Sequence, residues 1–257
     1  MRELQAFDAA TGTVLVALGI RLAAADRVAR SVRAWPASAE ELIACQHELA
    51  ALNPPTSHPA ADTLVAGCFV CFPRGETGPG RRGDPGWAAA ATRGSTALVV
   101  SGEAGAPYLP GLLALREGAL LEAAVRALPG PPDVLLVDAT GRDHPRRAGL
   151  ATHLGAVLDV PTVGVTHRPL LAAGAWPPDV RGAAVPLRIG DETVGCWLRV
   201  RAGVRPLAVH PAWRTDLEAA VATVLGATSR VRAPEPLRRA RTAARRARAA
   251  ASVSRGP

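Results

Sequence analysis

The chain has 257 residues, 48% of them hydrophobic, and a formal net charge of +8. This composition excludes an intrinsically disordered chain, and the length predicts one sizeable domain with extensions. The four cysteines are too few for a disulfide framework in so long a chain, so we expect buried thiols. The apolar stretch at 13–25 is too short to cross a bilayer, so we expect a cytoplasmic protein that does not contact membranes.

The elements are predicted in chain order. Residues 1–35 are an alanine-rich extension, and the predicted domain covers residues 36–230. Its first element is a helix at 37–52, because Ser38 is a typical N-cap and Glu41 follows three residues later. Strands are predicted at 63–72, 133–139 and 160–167, with two weaker candidates at 87–92 and 95–101. Helices are predicted at 112–128, 146–159 and 214–227, and a β-hairpin at 183–200. This order predicts an α/β domain with a mixed sheet.

The C-terminal segment, residues 231–257, is predicted as an arginine-rich tail. It holds eight arginines and one acidic residue, so +7 of the formal charge lies there. A basic tail favours nucleic-acid binding, because arginines that neutralise phosphates release counterions. A solvated, partly helical tail with no dedicated partner fits the same residues, and both alternatives stay open.

Two carboxylates are candidates for chemistry. Asp138 ends an apolar strand, where an α/β sheet places its ligand crevice, and Glu117 lies on the preceding helix. Such a pair suits Mg²⁺ or Mn²⁺, which can assist phosphoryl displacement. His144 is a candidate acid, base or phosphate contact, and Arg146 and Arg147 are candidate contacts to a nucleic-acid backbone. The alternative is an aspartate that only forms a loop or caps a helix.

Two long segments resemble the endonuclease V family. They are "APYLPGLLALREGALLEA" at 106–123 and "PDVLLVDATGRDHPRRAGLATHLGAVLDVPTVGV" at 132–165. With weaker matches on either side, the resemblance covers residues 36–246. It implies an RNase H-like fold, with a mixed central sheet flanked by helices. It also implies metal-dependent cleavage of DNA or RNA near deaminated purines, chiefly hypoxanthine.

The resemblance also implies roles for single residues. Glu117 and Asp138 match two metal-binding carboxylates of the family, and His144 matches the histidine beside the base pocket, so these three are the candidate catalytic residues. Tyr108 matches the wedge that holds the helix open after the target base has left it. The other candidate nucleic-acid contacts, around the wedge and the base pocket, are Pro107, Leu109, Pro110, Gly111, Leu113, Gly141, Arg146, Gly149 and Leu150.

Four positions depart from the family's pattern. Phe69 stands where the family carries an aspartate, its central metal ligand, and an aromatic ring cannot coordinate Mg²⁺. His167 stands in place of a lysine and Trp213 in place of a histidine. Ala139 adds a methyl group where the family has a pocket glycine. These changes predict a metal site that is impaired or put to another use.

Two hypotheses of different classes follow. The first is an endonuclease V-type enzyme that hydrolyses phosphodiesters near deaminated purines with Mg²⁺ or Mn²⁺. The second is a relative that binds deaminated or distorted DNA or RNA without cutting it, because its metal binding is weak or absent. Asp62 or Asp143 could replace the missing acid only if a loop folded back. We expect a monomer in either case.

Overall fold

One mixed sheet organises the fold. The computed structural model describes residues 34–60, 62–73 and 78–253. Its strands are β1 (Val65–Cys71), β2 (Pro85–Thr92), β3 (Leu98–Glu103), β4 (Val134–Val137), β5 (Thr162–Thr166), β6 (Ala184–Ile189), β7 (Glu192–Leu198) and β8 (Leu207–Pro211), in the spatial order β3-β2-β1-β4-β5-β8-β7-β6. The flanking helices are α1 (Ala39–Ala51), α2 (Leu113–Arg126), α3 (Leu150–Leu158), α4 (Leu217–Gly226) and α5 (Glu235–Val253). The predicted α/β domain with a mixed sheet is confirmed.

Three parallel strands at the centre of the sheet create a crevice. All four residues of β4 are apolar and buried, because β1 and β5 pair with it on either side and helices cover both faces. The C-terminal ends of these strands meet at one edge, where α/β sheets place their ligands. Cys68 pairs with Val137, so the residues that follow, Phe69 and Asp138, are neighbours at that edge.

The predicted start of the first helix is confirmed. The Ser38 side chain accepts a hydrogen bond from the backbone N–H of Glu41 at 3.2 Å. The Glu41 carboxylate in turn accepts one from the N–H of Ala37 at 2.8 Å. This reciprocal pairing satisfies donors that the first turn of a helix leaves open.

The third helix begins later than predicted. The sequence predicts a helix over 146–159, whereas α3 starts at Leu150, and residues 138–149 form a loop at the end of β4. Arg147 adopts the left-handed conformation, with a φ of 57°, which a right-handed helix cannot continue. The loop carries His144 to the crevice.

Within the arginine-rich C-terminal segment, helix α5 is part of the packed fold, which differs from the predicted tail. Ala240 and Ala244 of α5 are fully buried against Trp87 and Ala89 of β2. Because alanines recur at helical spacing along this face, the arginines are left on the other sides. A Cβ at Gly67 of β1 would lie 2.5 Å from the backbone of α5, so glycine is needed for this close approach.

The remaining expectations concern the cysteines and the extension. All four cysteines are buried and none forms a disulfide, as expected of buried thiols. No helix within residues 34–60, 62–73 and 78–253 is long and apolar enough to cross a membrane. The predicted extension at 1–35 lies outside the described residues, apart from its last two.

Candidate nucleic-acid and metal site

The two predicted carboxylates converge on the crevice. Burial and, after it, the negative charge of Asp138 together raise the pKa of Glu117 to about 8. Burial also raises the pKa of the Cys68 thiol, and the nearby carboxylates of Asp138 and Glu117 raise it further. The two carboxylates are therefore close enough to interact with each other and with Cys68.

A cation from α5 occupies the crevice beside them. The Arg241 Nη2 lies 2.8 Å from the Asp138 Oδ2, and both side chains are less than one quarter exposed. The guanidinium carbon of Arg241 lies 5.3 Å from the centre of the Phe69 ring, and that of Arg245 lies 5.5 Å from it. Phe69 thus stacks under two arginines at the position where the resemblance implies an acidic ligand.

Further basic groups surround this pair. Burial lowers the pKa of His167, and the nearby charges of Arg232 and Arg241 lower it further, while Asp138 opposes them. Within the ranges that the structure describes, no group of three or more His, Cys, Asp or Glu side chains could hold a metal ion. Asp138 therefore pairs with Arg241, and Arg232 adds a further positive charge close by.

A cavity of about 190 Å³ opens beside Asp138. It gathers predicted site residues with others that sequence reasoning missed. The predicted ones are Tyr108, Gly111, Leu113, Asp138, Ala139, His144 and Leu150, and the missed ones are Gln46, Ala114, Thr140, Thr166 and Leu170. Tyr108 lines this cavity and is 46% exposed.

Three side chains hydrogen-bond to the backbone of the segment that carries Tyr108. The backbone oxygen of Gly111 accepts hydrogen bonds from His144 Nε2 (3.1 Å), Gln46 Nε2 (3.1 Å) and Arg146 Nη2 (2.9 Å). The backbone N–H of Arg146 donates to His144 Nδ1 at 3.2 Å, so the ring's proton is on Nε2. Burial lowers the pKa of His144 to about 4. His144 is therefore a neutral ring at neutral pH, and both of its nitrogens are engaged in fixing the backbone near Gly111 and Arg146.

Two of the glycines predicted for the base pocket lie in close contact with neighbouring backbone. Gly141 and Gly149 do not line the cavity. A Cβ at Gly141 would lie 2.3 Å from the backbone oxygen of Pro211, and one at Gly149 would lie 2.3 Å from that of Thr140. Glycine lets the loop after β4 cross the sheet closely. Pro107, Leu109 and Pro110 flank the cavity without lining it.

Neither candidate replacement acid reaches the crevice. Asp143 is fully buried, and its carboxylate accepts hydrogen bonds from the backbone N–H groups of Leu170, Leu171 and Ala172 at 2.6–2.9 Å. It therefore fixes a loop beside the cavity. Asp62 precedes β1, so it lies at the opposite end of the strand from Phe69.

Trp213 also lies away from the crevice. It packs in an apolar cluster with Cys45 and Leu49 of α1, and its backbone oxygen accepts the N–H of Thr162 at 2.9 Å. Thr162 begins β5, at the end of the strand opposite the crevice. β8 runs antiparallel to β5 and carries residue 213 away from Asp138, so the predicted site position Trp213 lies apart from the crevice.

Comparison with known proteins agrees with this architecture. A sequence model of the endonuclease V family matches residues 83–242. The endonuclease V of Streptomyces avermitilis is 40% identical over 222 residues, 83% of this chain and 93% of the relative. Its crystal structure superposes with a TM-score of 0.74 and 37% identity, covering 85% of this chain and 96% of that one.

Two further structures show the same fold. The catalytic domain of human endonuclease V is 30% identical, with a TM-score of 0.70, over 81% of this chain and 94% of that one. The endonuclease V of Ciona intestinalis, solved with a 24mer DNA containing an inosine, is 20% identical, with a TM-score of 0.65, over 81% of this chain and 96% of that one. The fold is RNase H-like, and the chain belongs to the endonuclease V family.

Proposed function

We propose that this protein binds DNA or RNA containing a deaminated purine by taking the flipped base into the cavity beside Asp138. The observation that carries the proposal is the arrangement of an exposed Tyr108 at the mouth and a cavity behind it. A base that leaves the stack needs a filler for the gap and a pocket for itself. The relative from Ciona intestinalis is described in complex with inosine-containing DNA.

The cavity has the chemistry to hold a flat, polar base. Leu113, Leu150 and Leu170 supply apolar walls, and the hydroxyl-bearing Thr140 and Thr166 lie among the lining residues. Base recognition requires apolar contact on the ring faces and hydrogen-bonding groups at its edge. Ala139, also in the lining, narrows the cavity by one methyl group relative to the glycine that the resemblance implies.

The residues at the crevice do not fit the divalent metal that the family implies. Mg²⁺ takes hard oxygen ligands, and here Phe69 offers none. Asp138 is bound to Arg241, and no group of three or more metal-ligating side chains is present within the described residues. We expect binding of Mg²⁺ or Mn²⁺ to be weak or absent. The protein then retains recognition of the lesion, and hydrolysis of the phosphodiester is very slow or lost.

A binding comparison tests recognition directly. Fluorescence polarisation of labelled strands should show tighter binding to an inosine-containing strand than to the same strand with guanosine. Tyr108→Ala should reduce that preference, because the wedge is removed. Trp176→Ala removes another exposed aromatic ring that does not line the cavity, so it should leave the preference unchanged. Equal affinity of the unmodified protein for both strands would contradict the proposal.

A further inference from the structure

We propose that Arg241 and Arg245 bind a backbone phosphate of the nucleic acid in the crevice, where the family's metal site would lie. The inference rests on the proposed function in one respect, namely that the ligand is a nucleic acid. It adds the group that holds the strand next to the cavity. It also states that binding does not require a divalent metal.

The first support is the way in which Arg241 is held. One terminal nitrogen pairs with Asp138, and the Phe69 ring lies under the guanidinium. The Arg241 Nε is buried and out of reach of a ligand, so only the terminal nitrogens can contact one. A guanidinium has five N–H donors in a planar fork. The ion pair therefore fixes its orientation and leaves donors for another acceptor.

The second support is Arg245, one helical turn further along α5. It is exposed, stacks on the same Phe69 ring, and makes no hydrogen bond or ion pair with any described residue. Residues four apart lie on one side of a helix, so Arg241 and Arg245 project from α5 in the same direction. The buried alanines of α5 hold this side fixed against the sheet.

The third support is the balance of charge. Arg232 lies close to Arg241, and Asp138 is the acidic group that pairs with Arg241. Such a site repels a divalent cation and attracts an anion. Phosphate oxygens are acceptors that guanidinium groups bind through two parallel hydrogen bonds. The cavity for the base borders the same Asp138, so a phosphate of the flipped nucleotide or its neighbour would lie within reach.

The alternative is that these arginines only neutralise Asp138 and pack α5 on the sheet. In that case Arg245, which has no acid partner, would matter no more than any other exposed arginine. Arg246 is the matched comparison, because it is also exposed on α5 but borders a hollow with Thr96 and Ala97, on another side of the helix. Exchanging each of the two for glutamine removes the same charge from the same helix.

The experiment measures strand binding by the full-length protein by fluorescence polarisation, with EDTA and with Mg²⁺. We expect affinities within about twofold in the two buffers. Arg245→Gln removes a charge-assisted hydrogen bond, so we expect it to weaken binding about tenfold. The loss should be the same for inosine and guanosine strands. That variant should also lower the salt slope by about one unit, as expected for one lost phosphate contact. Arg246→Gln should change affinity less than about threefold, because its contact is long-range.

Two results would overturn the inference. One is equal weakening by Arg245→Gln and Arg246→Gln, which would reduce the effect to general charge. The other is loss of strand binding in EDTA, which would restore the metal to the site. The ratio of inosine to guanosine affinity is read from the same titrations. A ratio of one with an intact Arg245 effect would refute base recognition and leave the phosphate site standing.

Discussion

Replacing Phe69 by aspartate supplies the carboxylate that the resemblance to the endonuclease V family implies at this position. The structure predicts that this change alone does not create a strong metal site. The new carboxylate would face two guanidinium groups whose carbons lie 5.3 and 5.5 Å from the present ring centre. It would pair with them, as Asp138 already does with Arg241.

The size of the effect follows from this geometry. Two unit charges about 5 Å apart interact by about 3 kcal/mol at an effective dielectric constant of about 20. A divalent ion in the crevice would feel about twice this repulsion from Arg241. Asp138 and Arg241 are less than one quarter exposed, so solvent screens only part of it. If screening leaves about half of this repulsion, the remaining energy is roughly 3 kcal/mol. Because each 1.36 kcal/mol changes an equilibrium constant about tenfold, the affinity for the metal is lowered about a hundredfold.

The assay is a Mn²⁺ titration followed by the electron paramagnetic resonance signal of the free ion. We expect Phe69→Asp to bind Mn²⁺ weakly, and the double variant with Arg241→Gln to bind about a hundredfold more tightly. Adding Arg246→Gln to Phe69→Asp is the control and should give a much smaller gain. Melting temperatures confirm that each variant is folded. The reasoning is refuted if Phe69→Asp alone binds Mn²⁺ as tightly as the double variant.

Three further predictions concern the scaffold. Deleting residues from Arg238 onward should lower the melting temperature sharply, because it uncovers Trp87 and Ala89. The control Arg238→Gln removes only a charge and should not. Equal melting temperatures for the two variants would show that α5 does not stabilise the fold. Gly149→Ala should destabilise by about 1–3 kcal/mol in urea unfolding through overpacking, because its Cβ would meet the Thr140 oxygen, and Gly130→Ala, in open space, should be neutral. Burial lowers the pKa of His153 to about 4 from 6.5. Below pH 6.5 the unfolded chain therefore binds the proton first, and stability falls by about 1.4 kcal/mol per pH unit toward pH 4. In urea unfolding, His153→Phe should reduce this dependence of stability on pH, whereas the control His47→Gln, at an exposed position, should not. Equal dependence in the two variants would contradict the assignment to His153.

Patterns within short windows predicted most of the scaffold. The N-cap at Ser38, the apolar run of β4 and the hairpin at β6 and β7 depend on residues close in sequence, and each was placed correctly. The convergence of Glu117 and Asp138 came from the family's ordered motifs, which carry long-range information that periodicity lacks. The predicted helix at 146–159 was wrong for its first four residues, because Arg147 adopts a backbone conformation that is rare for its residue type.

The contacts that alter the site were not predictable from local patterns. Arg241 and Asp138 are 103 residues apart, and their pairing depends on α5 lying across β1 and β2. The high arginine content of that segment suggested a solvated tail, although alanines at helical spacing signalled a buried face. Gln46 reaches Gly111 from 65 residues away, and nothing in its surroundings distinguishes it from an ordinary surface glutamine.

The central claim is that this protein recognises a deaminated base at a crevice that does not hold catalytic metal. The most direct test is a single-turnover reaction with excess unmodified protein, an inosine-containing strand and Mg²⁺, in which bound and cut strand are measured together. The account predicts that the strand is bound and remains uncut, or is cut very slowly, at a level that Asp138→Ala does not change. Rapid Mg²⁺-dependent cutting that Asp138→Ala abolishes would contradict it.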